Sequence, residues 1–145
     1  MKHGIHATAT RSMPAGADAV LDVVTGLDDL SAWLPEGIDV DRYGPDLLRL
    51  RIRHGAVGRI LERRVATDWE LRRITWGEPG SSYSGAVQVL HGAPGRSAVV
   101  AQVELRDAAH RALVETWLGR ALDGLAEVVA AESEAVRWWS GTVLT

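Results

Sequence analysis

Residues 109–139 read AHRALVETWLGRALDGLAEVVAAESEAVRWW and contain neither a proline nor a cluster of turn residues. Leu113, Trp117, Ala121, Leu125, Val128, Val129, Glu132 and Val136 recur near one face of a 3.6-residue helix, and Asp107 stands where it can cap the first turn. The spacing predicts one helix of about 45 Å, at least twice the mean length, so it must serve as the spine of the domain. Gly119 and Gly124 fall inside it, each at about 1 kcal/mol relative to alanine.

Upstream of this rod the pattern changes. Ile5 to Met13 alternates apolar and polar residues with a period of two, which predicts a strand ended by Pro14 and Gly16. Ala17 to Thr25, with Asp18 in its first turn and Gly26 as its stop, predicts a short helix. Asp28 and Asp29 open a second short helix that Pro35 ends after Trp33-Leu34. Glycine and proline then recur at the spacing of an antiparallel meander. The strands run Ile38–Tyr43, Leu47–His54, Val57–Ala66, Glu70–Gly77, Tyr83–His91 and Ser97–Arg106. The fold class is therefore α+β: a curved, seven-stranded antiparallel sheet, two short helices after the first strand, and a long C-terminal helix, all in one domain over residues 1–145.

Bulk composition narrows the function. Apolar residues at 46% and charged residues at 24% are the balance of a globular chain. A net charge of −3 argues against a nucleic-acid partner, which would select a basic face. With no cysteine there is no disulfide, thiolate metal site or thiol nucleophile, and the cytoplasm is the expected location. Neither a signal peptide nor a membrane span is expected, because no apolar run approaches about 18 residues. The histidines lack the helical spacing of a metal centre, so no metal and no cofactor are expected. Gly80-Ser81-Ser82-Tyr83-Ser84-Gly85 is not a nucleophile elbow, since it enters a strand rather than a helix.

Several local motifs follow one another in a telling order: Met13-Pro14-Ala15 leading to Ala19-Val20-Leu21-Asp22-Val23-Val24, then Leu30-Ser31-Ala32-Trp33-Leu34-Pro35, and Ile74-Thr75-Trp76 before Tyr83-Ser84-Gly85-Ala86-Val87. Gly95-Arg96-Ser97-Ala98-Val99-Val100 and the Leu118, Leu122, Leu125, Ala126, Glu127 helix pattern come last. In this order the chain resembles the START-domain-like, plant-allergen-like and polyketide cyclase/dehydrase superfamily, often abbreviated SRPBCC, over nearly its whole length. The resemblance implies the helix-grip architecture and an elongated cavity between sheet and helix. Members use that cavity for lipids, hormones, polyketides or ubiquinone-like molecules, and some catalyse cyclisation or aromatisation. A fold that hosts many activities does not name one.

Residue sizes lead to a cavity by a separate route. A twisted sheet cannot touch one helix everywhere, and large fillers are scarce, with no phenylalanine in the chain. Alternation places Leu48, Leu50 and Ile52 on the inward face of one strand, Tyr83, Gly85, Val87 and Val89 on another, and Val99, Ala101, Val103 and Leu105 on a third. Leu113 and Trp117 look at them from the helix, while Trp33 and Trp76 can line the mouth and stack on a planar ligand, or simply close the core. Leu71, Arg73 and Thr75 share a face that the same reading turns inward.

The chemistry-bearing candidates are few. Tyr83, Arg73, His54 and His91 could act as acid, base or enolate clamp on a small substrate, and Arg73 could pair with a carboxylate or phenolate. The bland alternative is that the strand-end histidines and Arg73 simply reach water. In the strand over residues 57–66 neither face is cleanly apolar, so Glu62 and Arg63 are both candidates for a pocket group and the strand's phase stays open. Arg49, Arg51 and Arg53 form a solvated outward stripe or an anionic-partner surface. Trp138-Trp139 at the helix end is a homodimer or partner contact, or packs back on the first strands. The leading expectation is a domain that holds a small apolar or aromatic, lipid- or polyketide-like molecule. The alternatives are a cyclase or dehydratase using the same space, and a protein-interaction module.

Overall fold

The computed structural model describes residues 5–25, 38–42, 46–54, 57–77, 84–105 and 108–144. Its elements are β1 (Ile5–Met13), α1 (Ala17–Thr25), β2 (Ile38–Arg42), β3 (Leu47–His54), β4 (Val57–Asp68), β5 (Arg73–Trp76), β6 (Gly85–His91), β7 (Ser97–Leu105), a single 3₁₀ turn (Ala108–His110) and α2 (Arg111–Leu144). The second short helix expected after Asp28 and Asp29 lies outside the described residues, as do Trp33 and Tyr83 and the side chains of Leu48, Leu50, Ile52, His54, Trp138 and Trp139.

All neighbouring strands are antiparallel, in the order β1-β7-β6-β5-β4-β3-β2. The long strand β4 serves two ladders. Its first part, Val57–Arg64, pairs with β3, and its last four residues, Val65–Asp68, pair with β5. Among the described residues, the side chains that meet the helices come from β1, β7, β6, β5 and the end of β4. The sheet has seven strands in order, and the ladder that the described residues set against the helices is five strands wide, with β2, β3 and the start of β4 continuing it as a wing. The physical reason is twist. Adjacent strands rotate by about 20–25° each, so a straight helix stays in contact with only part of a wide sheet.

Helix α1 begins where the Val20 N–H donates to Gly16 O at 3.1 Å, and it buries Ala17, Val20, Leu21 and Val24 on one face. That face packs against α2, β6 and β7, and each fully buried valine or leucine contributes roughly 1.5–3 kcal/mol. Helix α2 spans 34 residues, which corresponds to about 51 Å. Its buried stripe is Val114, Ala121, Leu122, Leu125 and Val129, so the face is rotated slightly from the expected one: Leu113 and Trp117 lie on its flank, and Glu132 is exposed.

The helix lies chiefly along β1, the edge of the sheet. Thr8 N–H donates to Glu115 Oε2 at 3.4 Å, and Arg11 Nε donates to Asp123 Oδ1 at 2.9 Å. These contacts cover an edge whose backbone would otherwise offer free pairing groups. Arg11 crosses directly over Gly119, where an added Cβ would come within 2.6 Å of Arg11 Nη2. Ser97, at the start of β7, is buried and donates its hydroxyl to Ala15 O at 2.8 Å, tying the loop after β1 to the sheet.

Candidate functional site

The helix-facing side of the ladder carries short side chains: Ala7 and Ala9 from β1, Val99, Ala101 and Val103 from β7, Val87 and Val89 from β6, Ile74 from β5 and Val65 from β4. Domains usually build one contiguous core. Among the described residues the buried ones form two clusters, one around Leu122 and Leu125 and one around Val103, Leu105 and Val114. Trp76 and Leu118, both half-buried, pack against both clusters, and Trp117 flanks the second. The indole of Trp76 is seated on Gly85, its partner across the β5–β6 ladder. A seam bordered by two tryptophans, apolar yet reached by solvent, is where a planar or aliphatic molecule has the most surface to gain.

Val65 faces the core, and by alternation Arg63 shares its parity; Arg63 is half-buried, donates from Nη1 to Glu62 O at 2.8 Å, and passes its Cδ beside Gly77, 3.0 Å from where a Cβ would stand. Glu62 turns outward and accepts from Arg49 Nη2 at 3.0 Å. Sequence alone could not choose between Glu62 and Arg63, because both faces of this strand carry charge. Pairing with β5 resolves it, since Val65 stands opposite Trp76.

The opposite face of the sheet carries a different feature. A hollow of about 270 Å³, open to solvent, is lined by His6 of β1, Gln102 and Glu104 of β7, Ser84 and Ala86 at β6, and Arg73, Thr75 and Gly77 at β5, with Trp76 and Gly85 at its margin. The register explains it: Gly77, Ser84, Glu104 and His6 form one cross-strand row, and Thr75, Ala86 and Gln102 the next. Glycine, serine and alanine make a low floor, and the longer side chains around them make walls. Glu104 is held there between His6 Nε2 at 3.4 Å and the Ser84 hydroxyl, which donates at 3.4 Å, while its own N–H donates to Ser84 O at 2.8 Å.

The residues expected at the site divide accordingly. Val87, Val89, Ala101 and Val103 are buried on the helix side, and Trp76, Leu113 and Trp117 are half-buried there. Leu71 and Arg73 are not: Leu71 is exposed in the β4–β5 turn, and Arg73 is exposed on the outward face with Thr75. The register Ile74 to Val87 and Trp76 to Gly85 turns the other residues of β5 inward. His91 is exposed at the end of β6. The β3 positions Leu48, Leu50 and Ile52 stand opposite Arg63, Leu61 and Arg59 in the wing. Among the described residues no group of three or more histidine, aspartate or glutamate side chains could hold a metal ion, and no helix is long and apolar enough to cross a membrane.

A family model described as polyketide cyclase / dehydrase and lipid transport matches residues 4–134. The chain belongs to this family. No curated protein sequence matches it. Solved structures similar to the polyketide cyclase/dehydrase chain include TTHA0849 from Thermus thermophilus, at 20% identity over 89% of this chain and 99% of that one with a TM-score of 0.66. The Zhui aromatase/cyclase from a Streptomyces species shares 18% identity over 91% and 94% of the two chains, with a TM-score of 0.64. A START superfamily protein from Mycobacterium smegmatis shares 16% over 92% and 99%, with a TM-score of 0.60. At these identities the likeness establishes the fold, an antiparallel sheet closed by a C-terminal helix. Membership in the polyketide cyclase/dehydrase family points to a ligand-binding or cyclase role.

Proposed function

We propose that this polyketide cyclase/dehydrase family member binds a small apolar or aromatic molecule, lipid- or polyketide-like, between the sheet and α2. The shared aromatic border carries the reading: among the described residues, two buried clusters share half-buried Trp76 and Leu118, with Trp117 beside the second. Burial of aliphatic or aromatic surface along that seam gains roughly 25 cal/mol per Å² without reorganising the ladder. Arg63 adds a polar end for a ligand that carries a carboxylate or phenolate.

A titration of the protein with a long-chain fatty acid and with a tricyclic aromatic polyketide, followed by tryptophan fluorescence, tests this. The expected result is a saturable change that shrinks when Trp117 is replaced by phenylalanine. Absence of saturable binding for both, in fluorescence and in native mass spectrometry, would overturn it.

The alternative is a cyclase or dehydratase working in the same space, favoured by the similarity to an aromatase/cyclase and by a half-buried arginine able to steady a developing enolate. In that reading Arg63 is a better candidate than Arg73 or His91, which are exposed and, in the case of Arg73, turned away. Conversion of a linear poly-β-ketone to a cyclic product, abolished in Arg63→Ala with the fold retained, separates enzyme from carrier. An interaction module resting on the Arg49, Arg51 and Arg53 stripe has less support, because Arg49 is paired with Glu62.

A further inference from the structure

The hollow on the outward face of the sheet opens away from the helix, with Trp76 and Gly85 common to its lining and to the helix-side seam. Its walls place opposite charges at opposite ends. Glu104 stands in the row of Gly77 and Ser84, and Arg73 stands four residues before Gly77 on β5, in the row of Gln88 and Val100. Four residues along a strand and two strand spacings across separate their backbones by about 14 Å and about 10 Å in the two directions, too far for Arg73 and Glu104 to pair with each other.

Arg73 is uncommitted among the described residues, as are the exposed side chains of Arg64, Arg96 and Arg120, and of these it is the one that lines the hollow. Arg11, Arg49 and Arg72 each meet a carboxylate, on Asp123, Glu62 and Asp18 respectively. Among the described residues Arg73 has neither an ion-pair nor a hydrogen-bond partner, and the same is true of the side chains of Thr75 and Gln102 that line the hollow between it and Glu104. Glu104, by contrast, is fixed in place by Ser84 and His6. The result is one oriented acceptor, one guanidinium, and an amide and a hydroxyl between them, over a floor of small residues. With no excess of either charge, the hollow does not select a simple anion or cation. At about 30 Å³ per water, its volume of about 270 Å³ holds a molecule the size of a dipeptide.

We infer that this hollow is a second binding site, for a small zwitterion whose ammonium and carboxylate groups are separated by a peptide-length backbone. The ammonium donates to Glu104, the carboxylate accepts from Arg73, and the intervening amide meets Gln102 and Thr75. The site opens on the face of the sheet opposite the helix, and Trp76 and Gly85 border both it and the helix-side seam.

The test is an amide NMR titration of the ¹⁵N-labelled full chain with L-alanyl-L-alanine. Saturable shifts are expected at Thr75, Ala86, Gln102 and Glu104 and not along α2. Arg73→Gln, at an exposed position that leaves the fold intact, should weaken binding about tenfold, the loss of one charge-assisted contact. The N-acetylated and C-amidated dipeptides should be weakened similarly, and Ala86→Leu, which fills the floor from the outward side, should abolish the shifts. No saturable shift, shifts centred on Leu118 and Leu122, or binding unchanged by Arg73→Gln would each refute the site.

Discussion

The indole of Trp76 rests on the bare backbone of Gly85: a Cβ at Gly85 would lie 2.6 Å from Trp76 Cζ2 and would also strike the carbonyl oxygen of Gln102. The ring at the seam between the two clusters therefore depends on a missing side chain one strand away. Gly85→Ala must displace both an aromatic ring and a backbone atom, and neither yields cheaply. Overpacking of this kind costs about 1–3 kcal/mol, so the variant should unfold several degrees below the parent in a thermal melt and show altered tryptophan emission. An unchanged melting temperature would contradict the seating.

Gly119 presents the opposite case. The atom nearest to an added Cβ is the end of the Arg11 side chain, which can swing away. Its ion pair with Asp123 is exposed on both partners, and such pairs contribute little, about 0–1 kcal/mol. Alanine gains about 1 kcal/mol over glycine within a helix. Gly119→Ala should accordingly be neutral or stabilising by about 0.5 kcal/mol in urea denaturation, with a larger gain in the Arg11→Ala background.

Ser97→Ala removes a buried donor and leaves Ala15 O without its 2.8 Å contact. An orphaned buried acceptor costs about 1–3 kcal/mol. The measurable outcome is a lower denaturation midpoint with an unchanged slope, since the surface exposed on unfolding is the same.

The two faces of the sheet make separable predictions. For a fatty acid bound on the helix side, Arg63→Gln should weaken binding about tenfold, the scale of one charge-assisted hydrogen bond, whereas Arg73→Gln should leave it unchanged. Equal effects of both substitutions, read by fluorescence titration, would mean that the carboxylate sits elsewhere.

Much of the architecture was legible in local pattern. In β7, Ser97 to Leu105 alternates so cleanly that every second residue, from Ser97 through Val99, Ala101 and Val103 to Leu105, is buried. The unbroken helical run likewise announced α2. In these elements the residue types alone distinguish the face that must leave water, and period determines orientation. In β4 and β5 they do not. Arg63, Arg64, Arg72 and Arg73 occupy both parities, and Arg72 adopts a positive φ of 52° in the turn between the two strands, so a short strand could be entered in either phase. Pairing of Ile74 with Val87 and of Val65 with Trp76 chose the phase, giving Arg63 the parity of Val65 and Arg73 the outward one. Sequence by itself determined which segments are strands and which is the helix, because hydrophobic periodicity is a local property. Only the tertiary structure decided the parity of each arginine on β4 and β5, that the ladder the described residues set against the helices is five strands wide, and that small residues at β5 and β6 meet in a hollow on the other face. Each of those depends on register and twist between segments far apart in the chain.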